Sequence, residues 1–202
     1  ARQAKARSPD ADFLVFSLPE LIKMAFSTAT SAVEALRPNG INLLNDLVHL
    51  FGPSGDPDDP GHSLLEPYQA QIASALRSAL NAESPPLVTA SACSVLVSYV
   101  TSPIMRDPKI VVKILNLLIG FIPRLQSLEF AGYSESAATV VQLSILAALA
   151  DLWNSTESQH HNVIVANLSP QLASLLPLWF AALTDFAVLT TQNRTTVVKA
   201  HK

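Results

Sequence analysis

The stretch DPKIVVKILNLLIG, residues 107–120, decides the fold class. Asp107 followed by Pro108 is typical of a helix start, because aspartate accepts a backbone N–H there and proline is tolerated in the first turn. After this start, the residues that are not hydrophobic recur at spacings of four, three and four and form one narrow stripe: Lys109, Lys113, Asn116 and Gly120. A helix that is apolar around most of its circumference must be covered by other helices.

Two further helices are predicted upstream of this stretch. Ser17-Leu18-Pro19-Glu20 matches a capping box, in which the serine oxygen accepts a helical N–H and the glutamate reaches back. We expect the helix that follows to end near Leu36, with Arg37-Pro38-Asn39-Gly40 as its stop signal. A shorter helix then covers about Ile41 to Phe51, where one face is formed by Leu43, Leu44, Leu47, Val48 and Phe51.

The rest of the chain gives the same helical pattern, and strand signals are nearly absent. Ser84-Pro85 and Ser169-Pro170 are predicted helix starts like Asp107-Pro108. Pro123 should kink or end the helix that begins at Asp107, and Pro177 should bend the last helix. The remaining helices are expected at about 64–81, 84–101, 135–153, 163–168 and 170–189.

The predicted helices come in pairs whose first members start near Leu18, Leu64, Pro108 and His161, which are 46, 44 and 53 residues apart. HEAT and armadillo units have a similar period of about 40–47 residues. The sequence therefore predicts an all-α, right-handed helical-hairpin solenoid of about four repeats, a HEAT/armadillo-like superhelix, over residues 17–190. Residues 1–16 are expected to be disordered or extended, and residues 191–202 to form a frayed tail.

Composition narrows the class of function. Apolar residues make up 49% of the chain and charged residues 14%, which indicates a large core. The net charge of -3 provides no basic field, so nucleic acid is not an expected partner. The single cysteine, Cys93, is interpreted as a small buried hydrophobe. Polar residues interrupt the apolar windows Ile110–Ile122 and Ala137–Leu152, so we expect core helices there and no direct insertion into a membrane.

The segment GDPDDPGHSLLEPYQAQ, residues 55–71, is the one candidate for metal chemistry. Asp56, Asp58 and Gly61 match positions 1, 3 and 6 of a calcium-binding EF-hand loop, but prolines stand at positions 5 and 12. Since proline has no side-chain ligand, we expect neither metal nor cofactor. Solenoids often bind partners through loops between repeats, so the segment is instead a candidate protein-contact site. The residues proposed for it are Asp56, Asp58, Asp59 and His62.

No residue constellation predicts an enzyme. The pair His160-His161 has no HExxH context and is interpreted as part of a polar surface gap, and the serines lack a GxSxG elbow. Trp153, Trp179 and Phe180 are interpreted as core residues rather than as a binding hot spot.

The last helix is expected to have an uncovered face. We expect the face of Leu178, Phe180 and Ala182, or the opposite one, to be exposed and to promote self-association. The chain is therefore a candidate for assembly with a second copy.

Three stretches resemble the HEAT-repeat-containing protein five family, the large accessory proteins of the clathrin adaptor. They are GINLLNDLVHLFGPSGDPDDPGHSLLEPYQAQIASALRSAL, SPPLVTASACSVLVSY and LSPQLASLLPLWFAALTDFAVL, within residues 17–190. The resemblance implies one section of a long cytoplasmic solenoid, peripheral at the trans-Golgi network and endosomes, that assists cargo sorting without catalysis. It also implies binding to an adaptor accessory subunit of the aftiphilin type and, through it, to the clathrin adaptor complex. It carries no functional site residues over to this chain.

Two other functions stay open at this point. The chain could be a helical regulatory domain of a large Golgi scaffold or of a guanine-nucleotide-exchange protein. A helical hydrolase is a third hypothesis, which would require turnover that depends on one polar residue. The usual aspartate and Val-Arg of the second half of a HEAT repeat are not found, so HEAT and armadillo subtypes both stay open.

Overall fold

The computed structural model describes residues 14–56, 59, 61–127 and 132–200, with side chains described up to residue 191. Within these residues no strand occurs, and Gly55 and Ser63 form an isolated bridge. The all-α prediction is confirmed. The helices are α1 Leu18–Ala29, α2 Arg37–Phe51, α3 Gln69–Ala79, α4 Pro86–Thr101, α5 Pro108–Ile119, α6 Ile122–Ser127, α7 Glu135–Trp153, α8 His161–Leu168 and α9 Leu172–Ala200.

The helices pack in two rows. In one row α4 lies between α2 and α7 and contacts both; in the other, α1 packs on α3 and α5 packs on α8. The two rows are joined by the hairpins α1–α2 and α3–α4. Apolar side chains fill the space between the rows, and the core residues Ile22, Leu44, Leu76, Leu96 and Leu115 are fully buried. Stacked helix pairs with one continuous core form a helical solenoid, as the sequence predicts.

The predicted capping box at α1 does not form. Ser17 makes no side-chain capping hydrogen bond, and its backbone angles (φ -93°, ψ 0°) are not the extended ones that a capping serine adopts. The reason is that residues 14–16 already form a helical turn, with Leu14 and Val15 packed against the core. Of the segment predicted to be disordered or extended, residues 1–13 lie outside the described residues.

The predicted stop signal Arg37-Pro38-Asn39-Gly40 is instead the first turn of α2. The first helix ends earlier, at Ala29, and a short 3-10 turn at Glu34–Leu36 leads into α2. Proline is compatible with this position because the N–H groups of a first helical turn have no intrahelical acceptor. The predicted stop is therefore wrong, since a proline and a glycine can open a helix as well as close one.

The other predicted starts are mostly confirmed. Asp107 accepts a hydrogen bond from the backbone N–H of Lys109 at 2.8 Å, and Pro123 lies in the first turn of α6, after the break that ends α5. Ser84 is an exception: its hydroxyl donates to the carbonyl of Ser78 at 2.7 Å, and α4 begins at Pro86.

The fourth position of the solenoid is filled by a continuous helical rod. The helix α8 continues through a 3-10 turn at Ser169–Gln171 into α9, and the residues at both junctions keep right-handed helical angles. Because the chain does not reverse direction, Ser169-Pro170 does not open the second member of a hairpin, which corrects the predicted pairing at this end. The backbone is helical to Ala200 with Pro177 inside α9. Fraying of residues 191–202 stays a prediction.

In the described part of the chain, three helical stretches are long and apolar enough, by length and composition, to cross a membrane: Pro108–Ser127, Glu135–Trp153 and His161–Thr191. The expectation that polar residues interrupt these windows too early was therefore wrong, because single charges such as Lys113 do not lower the mean hydropathy enough. In the fold, the first stretch is divided between α5 and α6. The helices α5 and α7 pack within the two rows.

Candidate partner-binding surface

The connections between successive helix pairs meet at one edge of the solenoid. Gln69, at the start of α3, donates from Nε2 to the carbonyl of Ile104 at 2.9 Å. Gln159, just before α8, donates from Nε2 to the neighbouring carbonyl of Met105 at 2.9 Å. The connection between α4 and α5 thus accepts hydrogen bonds from the chain before it and after it. We call this surface the loop edge, comprising residues 52–56, 59, 61–66, 102–107 and 154–160.

The loop after α2, which contains the candidate site, is closed by its own backbone. The N–H of Asp56 donates to the carbonyl of His62 at 2.8 Å, and the hydroxyl of Ser63 donates to the carbonyl of Gly52 at 3.2 Å. Gly61 has φ +103°, a left-handed conformation that glycine adopts without strain. These contacts give the loop a defined shape and hold its acidic residues at the outer end.

Three of the four predicted contact residues lie together. Asp56, Asp59 and His62 line a shallow cleft of about 250 Å³, together with Glu66. Nδ1 of His62 lies 2.9 Å from Oδ2 of Asp59, and both side chains are exposed. The fourth residue, Asp58, lies outside the described residues. The cleft therefore offers carboxylates at an open surface.

Arg106 supplies a positive charge beside these carboxylates. Its Nε lies 3.6 Å from Oε2 of Glu66 in a partly exposed ion pair. Four residues of this surface are not predicted from the sequence, because they belong to no motif and reach the loop edge only through the stacking of the helix pairs: Glu66, Gln69, Arg106 and Gln159.

The structure places no set of metal ligands here. Within the described ranges, no three histidine, cysteine, aspartate or glutamate side chains lie close enough together to hold a metal ion.

A serine and a histidine meet on another exposed surface. Oγ of Ser98 on α4 lies 2.9 Å from Nε2 of His49 on α2. The same hydroxyl lies 3.2 Å from Oδ1 of Asn45 and 3.0 Å from the carbonyl of Ser94. With two acceptor oxygens and an imidazole nitrogen around one hydroxyl, the arrangement is a polar contact between α2 and α4.

Two interpretations of histidine and aromatic residues were wrong. His160 is buried, and its Nε2 lies 2.8 Å from the carbonyl of Met105, so it is not part of a polar surface gap. Phe180 is 67% exposed rather than in the core, whereas Leu178 and Ala182 pack against the core. The predicted face of 178, 180 and 182 therefore divides, because alternate residues of a helix point to nearly opposite sides.

The prediction that Cys93 and Trp179 pack in the interior is confirmed, fully for Cys93 and partly for Trp179. Cys93 is buried, and burial raises the pKa of its thiol to about 12. Trp179 is partly buried and donates from Nε1 to the carbonyl of Leu146 at 2.9 Å, which fixes α9 against α7.

Comparison with known proteins agrees with this architecture. The Laa1/Sip1/HEATR5 HEAT repeat region matches residues 13–188. Protein SWEETIE of Arabidopsis thaliana is 36% identical over 150 residues, which cover 74% of this chain and 7% of that protein. The AP-1 accessory protein LAA1 of Saccharomyces cerevisiae is 26% identical over 179 residues, which cover 85% of this chain and 9% of that protein.

The chain spans less than a tenth of the length of these two relatives, at 7% and 9%. No solved structure matches the chain. The match over residues 13–188 includes all the helices from α1 to α8 and most of the described part of α9. The chain belongs to the Laa1/Sip1/HEATR5 family, within its HEAT repeat region.

Proposed function

We propose that this chain is a non-enzymatic scaffold section of a large HEAT-repeat protein that assists clathrin-adaptor-dependent sorting between the trans-Golgi network and endosomes. The observation that carries the proposal is the family membership together with a relative described as an AP-1 accessory protein. The proposed location is cytoplasmic and peripheral at these membranes. The proposed partners are the clathrin adaptor complex and an accessory subunit of the aftiphilin type.

The fold supports a scaffolding role in physical terms. A stack of helix pairs presents a long surface whose shape is set by its core, and such surfaces bind proteins without reactive groups. The loop edge is the part of this surface best suited to a partner, since the connection between α4 and α5 is held by the hydrogen bonds of Gln69 and Gln159 while the side chains of Asp59 and His62 are exposed. A rigid backbone loses little conformational freedom on binding.

Charge indicates the chemistry of the partner at the loop edge. Asp56, Asp59 and Glu66 face one cleft with His62, and Arg106 pairs with Glu66 at its side. A partner segment rich in lysine or arginine would complement these carboxylates, and its binding should weaken as salt rises.

The proposal is tested with the full-length protein, tagged and recovered from the cytosol of its own organism. We expect the clathrin adaptor and a smaller accessory subunit among the recovered proteins, quantified by mass spectrometry. Recovery of a guanine-nucleotide-exchange factor or another GTPase regulator, without any adaptor subunit, would contradict the proposal and favour the regulatory-domain hypothesis.

The role of the loop edge is tested with a charge-neutral double variant, Asp56→Asn with Asp59→Asn. We expect recovery of the direct partner to fall by about fivefold, a typical effect of two rim charges. The matched control is Glu83→Gln with Glu135→Gln, which neutralises two exposed carboxylates outside the loop edge. Equal recovery with both variants would exclude the loop edge and leave the family-level function untouched.

A further inference from the structure

An apolar groove runs between α7 and α9. It has a volume of about 620 Å³, and among the described residues that line it Asn154 is polar and the rest are apolar. Its walls are fixed, because Trp179 on α9 donates to the carbonyl of Leu146 on α7 at 2.9 Å. The groove is therefore formed by the packing of α9 against α7.

The groove is open to solvent although its walls are large and hydrophobic. Phe180 is 67% exposed and Leu183 is 64% exposed, and Leu143 on the opposite wall is also exposed. Contiguous apolar surface of this kind marks a place where another element packs. The walls carry these residues at spacings of three and four, the pattern of helices that accept a third helix between them.

The position of the groove in the two rows identifies what should fill it. In the row α2, α4, α7, each new helix packs against the one before it, and α4 also packs against α3, the first helix of its own pair. In the other row, the fourth place is taken by the rod of α8 and α9, which contacts α5, α6 and α7. The next place, beside α7 and beneath α9, is the groove.

We propose that the groove is the seat of one further amphipathic helix, the second member of the fourth pair, supplied by the same polypeptide beyond α9. The helices of the row have 15, 16 and 19 residues, so the docked helix should be of similar length. Because the described lining residues carry no charge, its docked face is apolar and uncharged. The long relatives, of which this chain spans 7% and 9%, leave room for such a continuation.

The test compares the full-length protein with the 202-residue chain by alkylation of an introduced thiol. Ala147 is exposed and lines the groove, so the alkylation rate of Ala147→Cys shows whether another segment covers the groove. With iodoacetamide and peptide-resolved mass spectrometry, we expect the thiol to react at least about tenfold more slowly in the full-length protein. The control Ser74→Cys, at an exposed position of α3 outside the groove, should react equally in both.

A third protein ends about 50 residues after residue 202, which is about the length of one repeat. It tests whether the segment that covers the groove directly follows this chain. Protection that is kept in this protein supports the proposal, and protection found only in the full-length protein would overturn it. Leu183→Asp should restore rapid alkylation, because it places a charge in the groove wall against which the proposed helix packs.

The other occupants give different results, and each would overturn the proposal. Protection of the full-length protein that grows with its own concentration, with a doubled mass by light scattering, would show a second copy. Protection that requires added phosphatidylcholine vesicles would show a bilayer. Equal rates at Ala147→Cys in all three proteins would show that nothing covers the groove.

Discussion

Arg37 and Ser78 are joined across 41 positions of sequence by two hydrogen bonds from one guanidinium nitrogen. Nη2 of Arg37 donates to the carbonyl of Ser78 at 3.1 Å and to its hydroxyl at 3.2 Å. Nε of the same side chain donates to the carbonyl of Ala29 at 3.1 Å. Ala29 and Ser78 stand in the last turns of α1 and α3, whose carbonyls lack intrahelical partners. One arginine thus links the ends of two neighbouring helices.

Replacement of Arg37 should weaken the first two repeats. We expect Arg37→Met to lower the free energy of unfolding by about 1–3 kcal/mol, because three acceptors lose a charged donor while the apolar stem is kept. Arg37→Lys should lose less, since it keeps the charge but not the forked geometry. Urea unfolding measures both variants. A Met variant as stable as the parent would contradict the proposed link.

Gly40 is required by the close approach of α2 to α1. A β-carbon at this position would lie 2.1 Å from the nitrogen of Ala29 and 2.6 Å from the carbonyl carbon of Thr28. Both are backbone atoms, which cannot move aside as a side chain does. We therefore expect Gly40→Ala to lower the free energy of unfolding by about 1–3 kcal/mol or more.

The matched control for Gly40 is Gly55→Ala. A β-carbon at Gly55 would meet its nearest neighbour, the carbonyl oxygen of His62, at 3.8 Å, an ordinary van der Waals contact. Thermal unfolding should show a lowered midpoint for Gly40→Ala and little change for Gly55→Ala. A similar midpoint for both would mean that the two helices separate at no cost.

Arg37 and Gly40 show how much of the fold can be predicted from the sequence. Helix existence and the repeat spacing follow from apolar periodicity, which is local, so three of the four predicted starts, near Leu18, Pro108 and His161, are confirmed. The α-helix expected from Leu64 begins later, at Gln69, after a 3-10 turn at Glu66–Tyr68. The roles of Arg37 and Gly40 depend on contacts with distant residues, and a local pattern does not contain them. From the local pattern, Pro38 and Gly40 predicted the end of a helix, whereas they lie in the first turn of α2.

The candidate partner-binding surface can also be predicted only in part from the sequence. A proline-rich acidic loop between helices is visible in sequence, and Asp56, Asp59 and His62 do meet at one cleft. The loop edge as a whole was not visible, because it forms only when Gln69 and Gln159 reach the connection between α4 and α5. The apolar groove has the same origin, since α7 and α9 meet only in the stack.

The buried thiol of Cys93 should make stability depend on alkaline pH. Burial raises the pKa of this thiol from its usual value near 9 to about 12. Between these values the unfolded chain loses the thiol proton while the folded chain keeps it, so the folded state loses stability as pH rises, by about 1 kcal/mol per pH unit. Below pH 9 the thiol contributes no pH dependence.

The variant Cys93→Ala isolates this effect. Between pH 9 and 10, its free energy of unfolding should fall less steeply with pH than that of the parent, as measured by urea titration at each pH. Burial also raises the pKa of Tyr99, which adds a further loss at higher pH in both proteins. Parallel slopes for the two proteins would show that the thiol is not shielded from water.

The adjacent histidines should differ in their contribution to stability. His160 is buried and donates from Nε2 to the carbonyl of Met105 at 2.8 Å, while Nδ1 of His161 has no hydrogen-bond partner among the residues that the structure describes. We expect His160→Ala to cost about 1–3 kcal/mol and His161→Ala about 0.5 kcal/mol or less. Equal losses in urea unfolding would mean that the bond to Met105 contributes nothing.

The carbonyl of Met105 also accepts a hydrogen bond from Gln159 at 2.9 Å, so each donor can partly replace the other. Met105 is fully buried, and a buried carbonyl with neither donor has a large desolvation cost. The double variant Gln159→Ala with His160→Ala should therefore lose more stability than the two single losses combined, by about 0.5–2 kcal/mol. Strict additivity in a double-mutant cycle would show that the two donors act independently and that the loop edge is held elsewhere.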